Sequence, residues 1–509
     1  MSPITTIVHE IGLGGSVLLA ASALVFYYIV SSVVAWYRLR HIPGPFFAKF
    51  SYGWLAWAAK SGRMAYIYAD LPQRYGPLVR VGPNEISTDD PEVIRRISAV
   101  RSEYGKDPWY IGARFNPYHD NTFTILDARQ HDKEKARVAP AYGGKEAPDL
   151  ERDIDKQIMN LIDVIRTKYM WSPEKPDTPF MDVAQVMSFL TMDVISCAAF
   201  GEEIGYLREQ TDLYGFLHEV RDNWSRMALV LDVPIARAIM FSQLFLSLFG
   251  PKTTDKKGLG ALMGVAESYI GKRFEGGSKG KDDMLASFIR HGYSRKECEV
   301  EGLFMIIAGS DTTASTLRNT LLHIMTCAPV YRKLKEEIAQ TVAGGKASTP
   351  IRLEEAKRLP YLQAVLYEGL RMRAAAPGMY PKVVPPEGDL FHGVFIPGGT
   401  AIAMNVGSLL KSKDLFGADA HIFRPERFME ADQAKRAEME RLVELAFGYG
   451  RYMCAGKPVA FMELNKVYFE LFRNFDLQIA DPRNPWKSVS WIVYVEENMW
   501  VRFTESTAM

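Results

Sequence analysis

Cys454 sits in surroundings suited to holding iron: Phe447-Gly448-Tyr449-Gly450-Arg451-Tyr452-Met453-Cys454-Ala455-Gly456. Gly448 and Gly450 ahead of the sulfur, and Gly456 two residues beyond it, let the backbone pass close to something large and flat. A thiolate held there can ligate iron from one face, with backbone N–H groups aimed at the sulfur to tune its electron donation. Taken alone, Cys454 reads more simply as a free thiol packed in a glycine-rich turn.

Three other segments shift that balance. Ala308-Gly309-Ser310-Asp311-Thr312-Thr313 continues the apolar run Leu303-Phe304-Met305-Ile306-Ile307. On a helix, Gly309 removes a side chain and leaves room for a flat ligand or a diatomic molecule. Asp311 and Thr312 add an acid and a hydroxyl at that level, the groups needed to pass protons to oxygen. The same segment is also compatible with a buried helix whose threonines bond back to the preceding turn. Glu368-Gly369-Leu370-Arg371 places an acid and a base at i, i+3 on one helical face. That pair is either a surface bridge of little worth or part of a Glu368–Arg371–Arg427 network under the cysteine loop. Arg427 would come from Phe423-Arg424-Pro425-Glu426-Arg427-Phe428.

In this order and combination the segments resemble the cytochrome P450 superfamily, from about residue 40 to the C-terminus. Phe447, Gly450 and Gly456 match the family's cysteine signature. The signature's arginine two residues before the cysteine does not match: position 452 is Tyr, with Arg451 one step earlier. In the family that arginine pairs with a haem propionate, so Arg451 is a candidate substitute. His131-Asp132-Lys133-Glu134-Lys135 looks like the family's Trp-x-x-x-Arg helix, with His131 and Lys135 in its two key places. Pro381-Lys382-Val383-Val384-Pro385 looks like the segment that presents a further cation to a propionate. Lys135 and Lys382 would act there as point charges rather than bidentate forks. Asp193-Val194-Ile195-Ser196, Ala199-Phe200-Gly201 and Met284 to Gly292 look most like filamentous-fungal enzymes of the pisatin-demethylase-like kind.

The resemblance implies a fold that is mainly α with small β-sheets, built around haem b with the Cys454 thiolate as axial ligand. It implies a monooxygenase in which Asp311 and Thr312 manage protons. Electrons would come from NADPH through the flavins of NADPH–cytochrome P450 reductase, with cytochrome b5 as an alternative donor. The chain itself carries no dinucleotide fingerprint: Gly258-Leu259-Gly260 opens no strand-linked helix. Lys133, Lys135, Arg137 and Lys457 lie on segments that face the cysteine side in the family. They would either meet an acidic reductase surface or be scattered surface charges. Tyr104, Trp109, Tyr110, Phe115, Tyr118 and Phe123 crowd the segment that forms the family's loop over the substrate pocket. Trp109, Tyr110, Phe115 and Phe123, with Ala308 and Gly309, are expected to line an apolar pocket for a terpenoid, polyketide or prenylated aromatic. Plain core packing is the other reading of those rings. Residues 374–379 and 488–493 are expected to add walls. Two rival outcomes remain: an isomerase, desaturase or peroxide-using enzyme of the same family, and a haem sensor without turnover.

The elements that must position these groups begin with an apolar run. Ile11 to Tyr37 contains no charged residue and exceeds the ~20 residues that cross a bilayer. Arg38, Arg40 and His41 follow it, and residues 1–10 contain no Lys or Arg, which places the body in the cytosol. A cleaved signal peptide is disfavoured by the missing basic n-region and the length of the run. The expected organisation is a short lumenal terminus (1–10), a single transmembrane anchor (11–37), a Pro-rich hinge (38–50) and a catalytic domain (51–509). By resemblance, the membrane is that of the endoplasmic reticulum. The near balance of 61 basic and 60 acidic residues argues against a nucleic-acid binder. Four widely spaced cysteines fit a reducing compartment. Apolar periodicity predicts helices over 298–328 and 353–373 and on both sides of the cysteine loop. Strand-like runs fall at 77–81, 396–403 and 492–495, and loose segments at 276–281 and 344–350.

Overall fold

The computed structural model describes residues 3–276 and 282–506. The loose segment expected at 276–281 therefore lies, from 277 onward, outside the described residues, as do residues 1 and 2. In chain order, the helices that frame the site are α1 (Pro3–Arg38), α2 (Ala128–Tyr142), α3 (Leu150–Val164), α4 (Val183–Phe200), α5 (Phe216–Asp232), α6 (Pro234–Met240), α7 (Gln243–Phe249), α8 (Arg295–Thr326), α9 (Pro360–Met372) and α10 (Lys457–Asn474). Five short strands, β1 (Leu78–Arg80), β2 (Glu85–Thr88), β3 (Gly105–Lys106), β4 (Lys382–Val383) and β5 (Ala401–Met404), form one sheet in the order β1-β2-β5-β4-β3. β2 and β5 run parallel and the other neighbours antiparallel. A separate hairpin joins β6 (Lys487–Ser490) to β7 (Tyr494–Glu497). The chain is thus mainly helical with small sheets.

The central element is α8. Ser294 and Glu297 open it with a reciprocal capping box, and most of its 32 residues are buried. It packs along α4, an apolar helix buried except at Gln185 and capped by Asp182 accepting from the Ala184 N–H. Among the described residues, α4 is the helix whose length and apolarity would suffice to cross a membrane. Its burial identifies that apolarity as core. α1 behaves differently: Leu18, Leu19, Phe26, Tyr27 and Val34 of its described side chains are exposed. Its C-terminal end is fastened to the body by the buried Arg80, which donates to the carbonyls of Ala35 (2.9 Å) and Trp36 (3.3 Å). Both carbonyls belong to the last turn of the helix, where one guanidinium supplements the Leu39 N–H bond to Ala35 and supplies a donor to Trp36.

The periodic run at 353–373 divides into Leu353–Ala356 and Pro360–Met372. Pro360 cannot donate to a preceding turn, so the pattern restarts there as a new helix. Likewise 396–403 splits at Pro397-Gly398-Gly399 into Val394–Ile396 and Ala401–Met404, which belong to different sheets. α9 lies so close to α8 that a Cβ on Gly369 would sit 2.1 Å from Thr320 Oγ1. Gly369→Ala is therefore expected to push the two helices apart and lower stability by about 1–3 kcal/mol, read as a fall in the thermal midpoint. An unchanged midpoint would mean that Thr320 can rotate away at no cost.

Candidate functional site

Cys454 emerges from a loop whose shape depends on two glycines with positive φ, Gly448 (+77°) and Gly450 (+55°). A Cβ at Gly450 would lie 2.4 Å from the Ser98 carbonyl oxygen, and one at Gly448 2.9 Å from that of Tyr452. The loop is thus wedged between its own return strand and the helix Pro91–Ser98. The Cys454 N–H donates to the Phe447 carbonyl (2.7 Å), closing the turn. α10 begins three residues later, at Lys457, so the N–H groups of Gly456 and Lys457 are directed at the sulfur. Cys454 is open to solvent on one side, yet the chain packed around it raises the thiol by desolvation, while those N–H groups and the ammoniums of Lys135 and Lys457 pull it back. A helix N-terminus that favours the anion in this way is suited to a thiolate ligand.

The loop rests on a buried ion cluster. Glu368 accepts from Arg371 Nε (2.7 Å) and Nη2 (2.8 Å) and from Arg427 Nε (3.0 Å), and all three side chains are buried. Arg371 and Arg427 spend their other N–H groups on the carbonyls of Leu410, Ala420, Phe416 and Ile422. From α9 the connection continues: Tyr367 donates to Glu444 (3.1 Å), which pairs with Lys457 (2.6 Å) at the start of α10.

On α8 the residues left partly accessible within the body are Phe304, Ala308, Gly309, Asp311 and Thr312, while their helical neighbours are buried. Phe304, Ala308 and Thr312 fall at i, i+4 and i+8, one face of the helix. The Thr312 hydroxyl donates to the Ala308 carbonyl (2.9 Å), leaving its lone pairs to accept. Asp311 points a step around the helix, beside the Trp224 indole and within reach of Arg318 and Arg221. Desolvation raises its pKa despite those cations. A Cβ at Gly309 would meet Ile195 of α4 at 3.0 Å, so the missing side chain serves helix packing.

The aromatic residues separate into two groups. Phe123 stacks on Phe304 (5.6 Å between centroids) and meets Tyr110 (5.0 Å) and Tyr380 (6.3 Å), and Phe115 lies along Phe304 (6.5 Å). Tyr380 is close enough to Cys454 for the sulfur's charge to raise its pKa. This wall therefore spans the space from the accessible face of α8 to the cysteine loop. Trp109 backs this wall, its ring 5.2 Å from that of Tyr110 and 5.3 Å from that of Tyr380, while its buried indole N–H donates to Asp232 (2.7 Å). Tyr104 and Tyr118 turn away, to Asp389 (2.6 Å) and to the Pro251 carbonyl (3.2 Å). Phe304 and Tyr380 were missed by the sequence reading. Phe304 could have been found by stepping back four residues from Ala308; Tyr380 had no local signal.

The expected cations are redistributed. Lys135 donates to the carbonyls of Arg451 (2.7 Å) and Met453 (2.6 Å), which makes it a strut of the cysteine loop. Arg451 pairs with Asp132 (3.1 Å) and donates to the Ser102 carbonyl (3.1 Å). His131 is buried, with its ring 5.2 Å from that of Tyr452, and burial lowers its pKa to about 4, so it is neutral. Lys382 is buried on β4, opposite a second buried lysine, Lys106 of β3, which the sequence reading passed over. A second ion cluster was also missed: Glu496 of β7 binds Arg318 (3.0 Å) and Arg373 (3.0 Å) behind the Asp311 side of α8.

Glu368→Ala is expected to cost about 3–5 kcal/mol, because the buried Arg371 loses its anion and Arg427 keeps only the partly exposed Asp419. Urea denaturation measures this, and a loss under about 1 kcal/mol would show that water replaces the carboxylate. Burial pushes the Asp232 carboxyl up to about 7, against the Trp109 bond and Arg237. An acid raised in the folded state keeps its full contribution below the unfolded pKa, near 4, and loses it as pH rises through about 7. Asp232→Asn is expected to flatten that part of the stability–pH curve. Glu85, also raised to about 7 by burial, retains the remainder of the slope.

Residues 43–501 match the sequence model of the family described as cytochrome P450. The chain is 57% identical over 469 residues to cytochrome P450 monooxygenase aba1 of Botryotinia fuckeliana, covering 92% of each. It is 50% identical to monooxygenase abl1 of Leptosphaeria maculans (92% of this chain, 83% of the relative). It is 42% identical to ABA1 of Pyricularia oryzae (94% and 95%). The residues present fit the haem of such proteins. A thiol stands at a helix N-terminus, an accessible helix face and aromatic wall lie on one side of it, and two buried ammoniums, Lys106 and Lys382, have no carboxylate at ion-pair distance among the described residues. On sequence, fold and site together, the chain belongs to the cytochrome P450 family of monooxygenases.

Proposed function

We propose that the chain is a membrane-anchored haem-thiolate monooxygenase of fungal secondary metabolism that inserts one atom of O2 into a small lipophilic molecule. The observation that carries this reading is the stripe Phe304, Ala308, Thr312 on α8, facing a ring wall that reaches toward Cys454. When bound, haem supplies O2 binding and one-electron redox chemistry, and thiolate ligation favours O–O cleavage.

The chain's own residues do the rest. Cys454 holds its charge against the α10 N-terminus. Phe123, Phe115 and Phe304 exclude water and favour an apolar substrate over a charged one. The Thr312 hydroxyl is oriented by the Ala308 carbonyl, so it can accept a proton on one side and pass one on the other. Asp311, with its pKa raised by burial, holds a proton further up the pH scale than a surface aspartate and can resupply that hydroxyl.

Electrons would enter from NADPH–cytochrome P450 reductase on the cysteine side. A hollow of about 1080 Å3 there is lined by Arg95, Lys435, Arg441 and Lys457 together with Asp432, Glu438 and Glu444, beside Tyr449 and Met453. Its mixed charge suits a partner matched pair by pair rather than by one sign. Of the cations expected to meet the reductase, Lys135 is committed to backbone and Arg137 to Glu134 (2.6 Å), which leaves Lys133 exposed. Residues 11–37 would be the single-pass anchor in the endoplasmic reticulum membrane, with 38–50 as hinge and 51–509 as the cytosolic body. The exposed Phe46 and Phe47 of the hinge, and Ile235, Ile239, Leu244, Leu248 and Phe249 of α6 and α7, support apposition of that end to lipid.

Co-expression with a reductase, followed by measurement of NADPH-coupled product, tests the reading, with a reduced carbon-monoxide difference spectrum as its first stage. Cys454→Ser is expected to abolish the thiolate Soret band, and its persistence would remove Cys454 as ligand. Thr312→Ala is expected to keep haem and substrate binding while diverting NADPH electrons to peroxide. Unchanged coupling would place the proton route elsewhere.

A further inference from the structure

β3 and β4 pair in a register that sets Lys106 directly opposite Lys382. Like charges directly opposite on a sheet repel, and here both side chains are buried, at 6% and 1% exposure. Neutral acceptors hold them. Lys106 Nζ donates to the carbonyls of Phe123 (2.7 Å) and Thr122 (3.2 Å). Lys382 Nζ donates to the Tyr380 carbonyl (3.0 Å) and the Tyr110 hydroxyl. An ammonium has three N–H donors, so each lysine keeps one uncommitted.

Both ammoniums also stand over the same ring, that of Tyr452, at 5.6 Å and 4.6 Å. Tyr452 is two residues before Cys454, so the pair flanks the cysteine loop. The other cations nearby are spoken for: Arg451 by Asp132 and Lys135 by loop carbonyls. Two desolvated ammoniums with no carboxylate at ion-pair distance among the described residues are costly, and the more distant Glu301, Asp120 and Asp107 offset that cost only in part. Burial lowers Lys106 to about 6 and Lys382 to about 7 accordingly. A ligand bringing two carboxylates would reverse that cost. An arginine at position 452 would add a third cation to the cluster; the tyrosine offers a π face to both lysines instead.

We infer that Lys106 and Lys382, steadied by Tyr110 and Tyr452, form the seat for the two carboxylates of the haem and replace the arginine absent from position 452. This rests on the haem-protein reading above. The seat explains why the signature tolerates Tyr452: the positive charge has moved from the cysteine loop to the β3–β4 ladder.

The test is the rate at which purified holoprotein loses haem to excess apomyoglobin. Lys106→Met and Lys382→Met are each expected to release haem roughly tenfold faster or more, the loss of one charge-assisted contact. Haem still bound should keep the thiolate band. Tyr452→Arg is expected to slow release in the Lys106→Met background and not in the wild type. Wild-type release rates in both methionine variants would overturn the inference. So would variants that keep haem but lose the spectral response to an acidic substrate, since the lysines would then serve that acid. If the methionine variants do not fold, exchange of haem dimethyl ester into the wild-type protein reads the same contact. Weaker retention of the diester supports the seat, and equal retention overturns it. A wild-type protein with no thiolate band would fail the haem reading itself, before any variant is made.

Discussion

Glu368 is a carboxylate that cannot reach water, held between two guanidiniums that cannot reach it either. Separating such charges inside a protein is costly enough that the surrounding chain must follow them. The carbonyls of Leu410, Phe416, Ala420 and Ile422 are drawn onto the remaining N–H groups, which fixes an otherwise irregular stretch between β5 and the cysteine loop. Through Tyr367, Glu444 and Lys457 the same cluster reaches the first turn of α10. The position of one sulfur atom thus depends on an ion cluster made by residues far from it in sequence.

The opposite face is organised by packing. α8 and α4 approach closely because Gly309 lets Ile195 in. That contact turns the stripe Phe304, Ala308, Thr312 toward the aromatic wall. Behind it, Glu496 holds Arg318 and Arg373, so the acid at Asp311 sits in a region of compensated charge rather than isolated in hydrocarbon. An anion-favouring loop on one side and a proton-holding helix on the other are the two halves that haem-thiolate oxygen chemistry requires.

Positive charge is distributed unusually around the cysteine. Arg451 and Lys135 brace the loop, while Lys106 and Lys382 sit in the sheet beside Tyr452 with no carboxylate at ion-pair distance among the described residues. Two strands of two residues each are enough to fix that pair, since antiparallel register places side chains opposite one another.

The sequence by itself determined what is local. Cys454 with its glycines, the Asp311–Thr312 pair on an apolar helix and the i, i+3 spacing of Glu368 and Arg371 were legible because helical period and glycine chemistry act over a few residues. So was the uncharged run before Arg38. Tertiary structure decided which partner each charged or polar group meets. Lys135 meets loop carbonyls and Arg451 meets Asp132, Trp109 joins the ring wall and anchors on Asp232, and Gly309 lets α4 approach. Lys106, Tyr380 and Glu496 had no local signature at all. Their roles come from register, from ring contacts between distant segments and from burial, and these exist only once the chain has closed on itself.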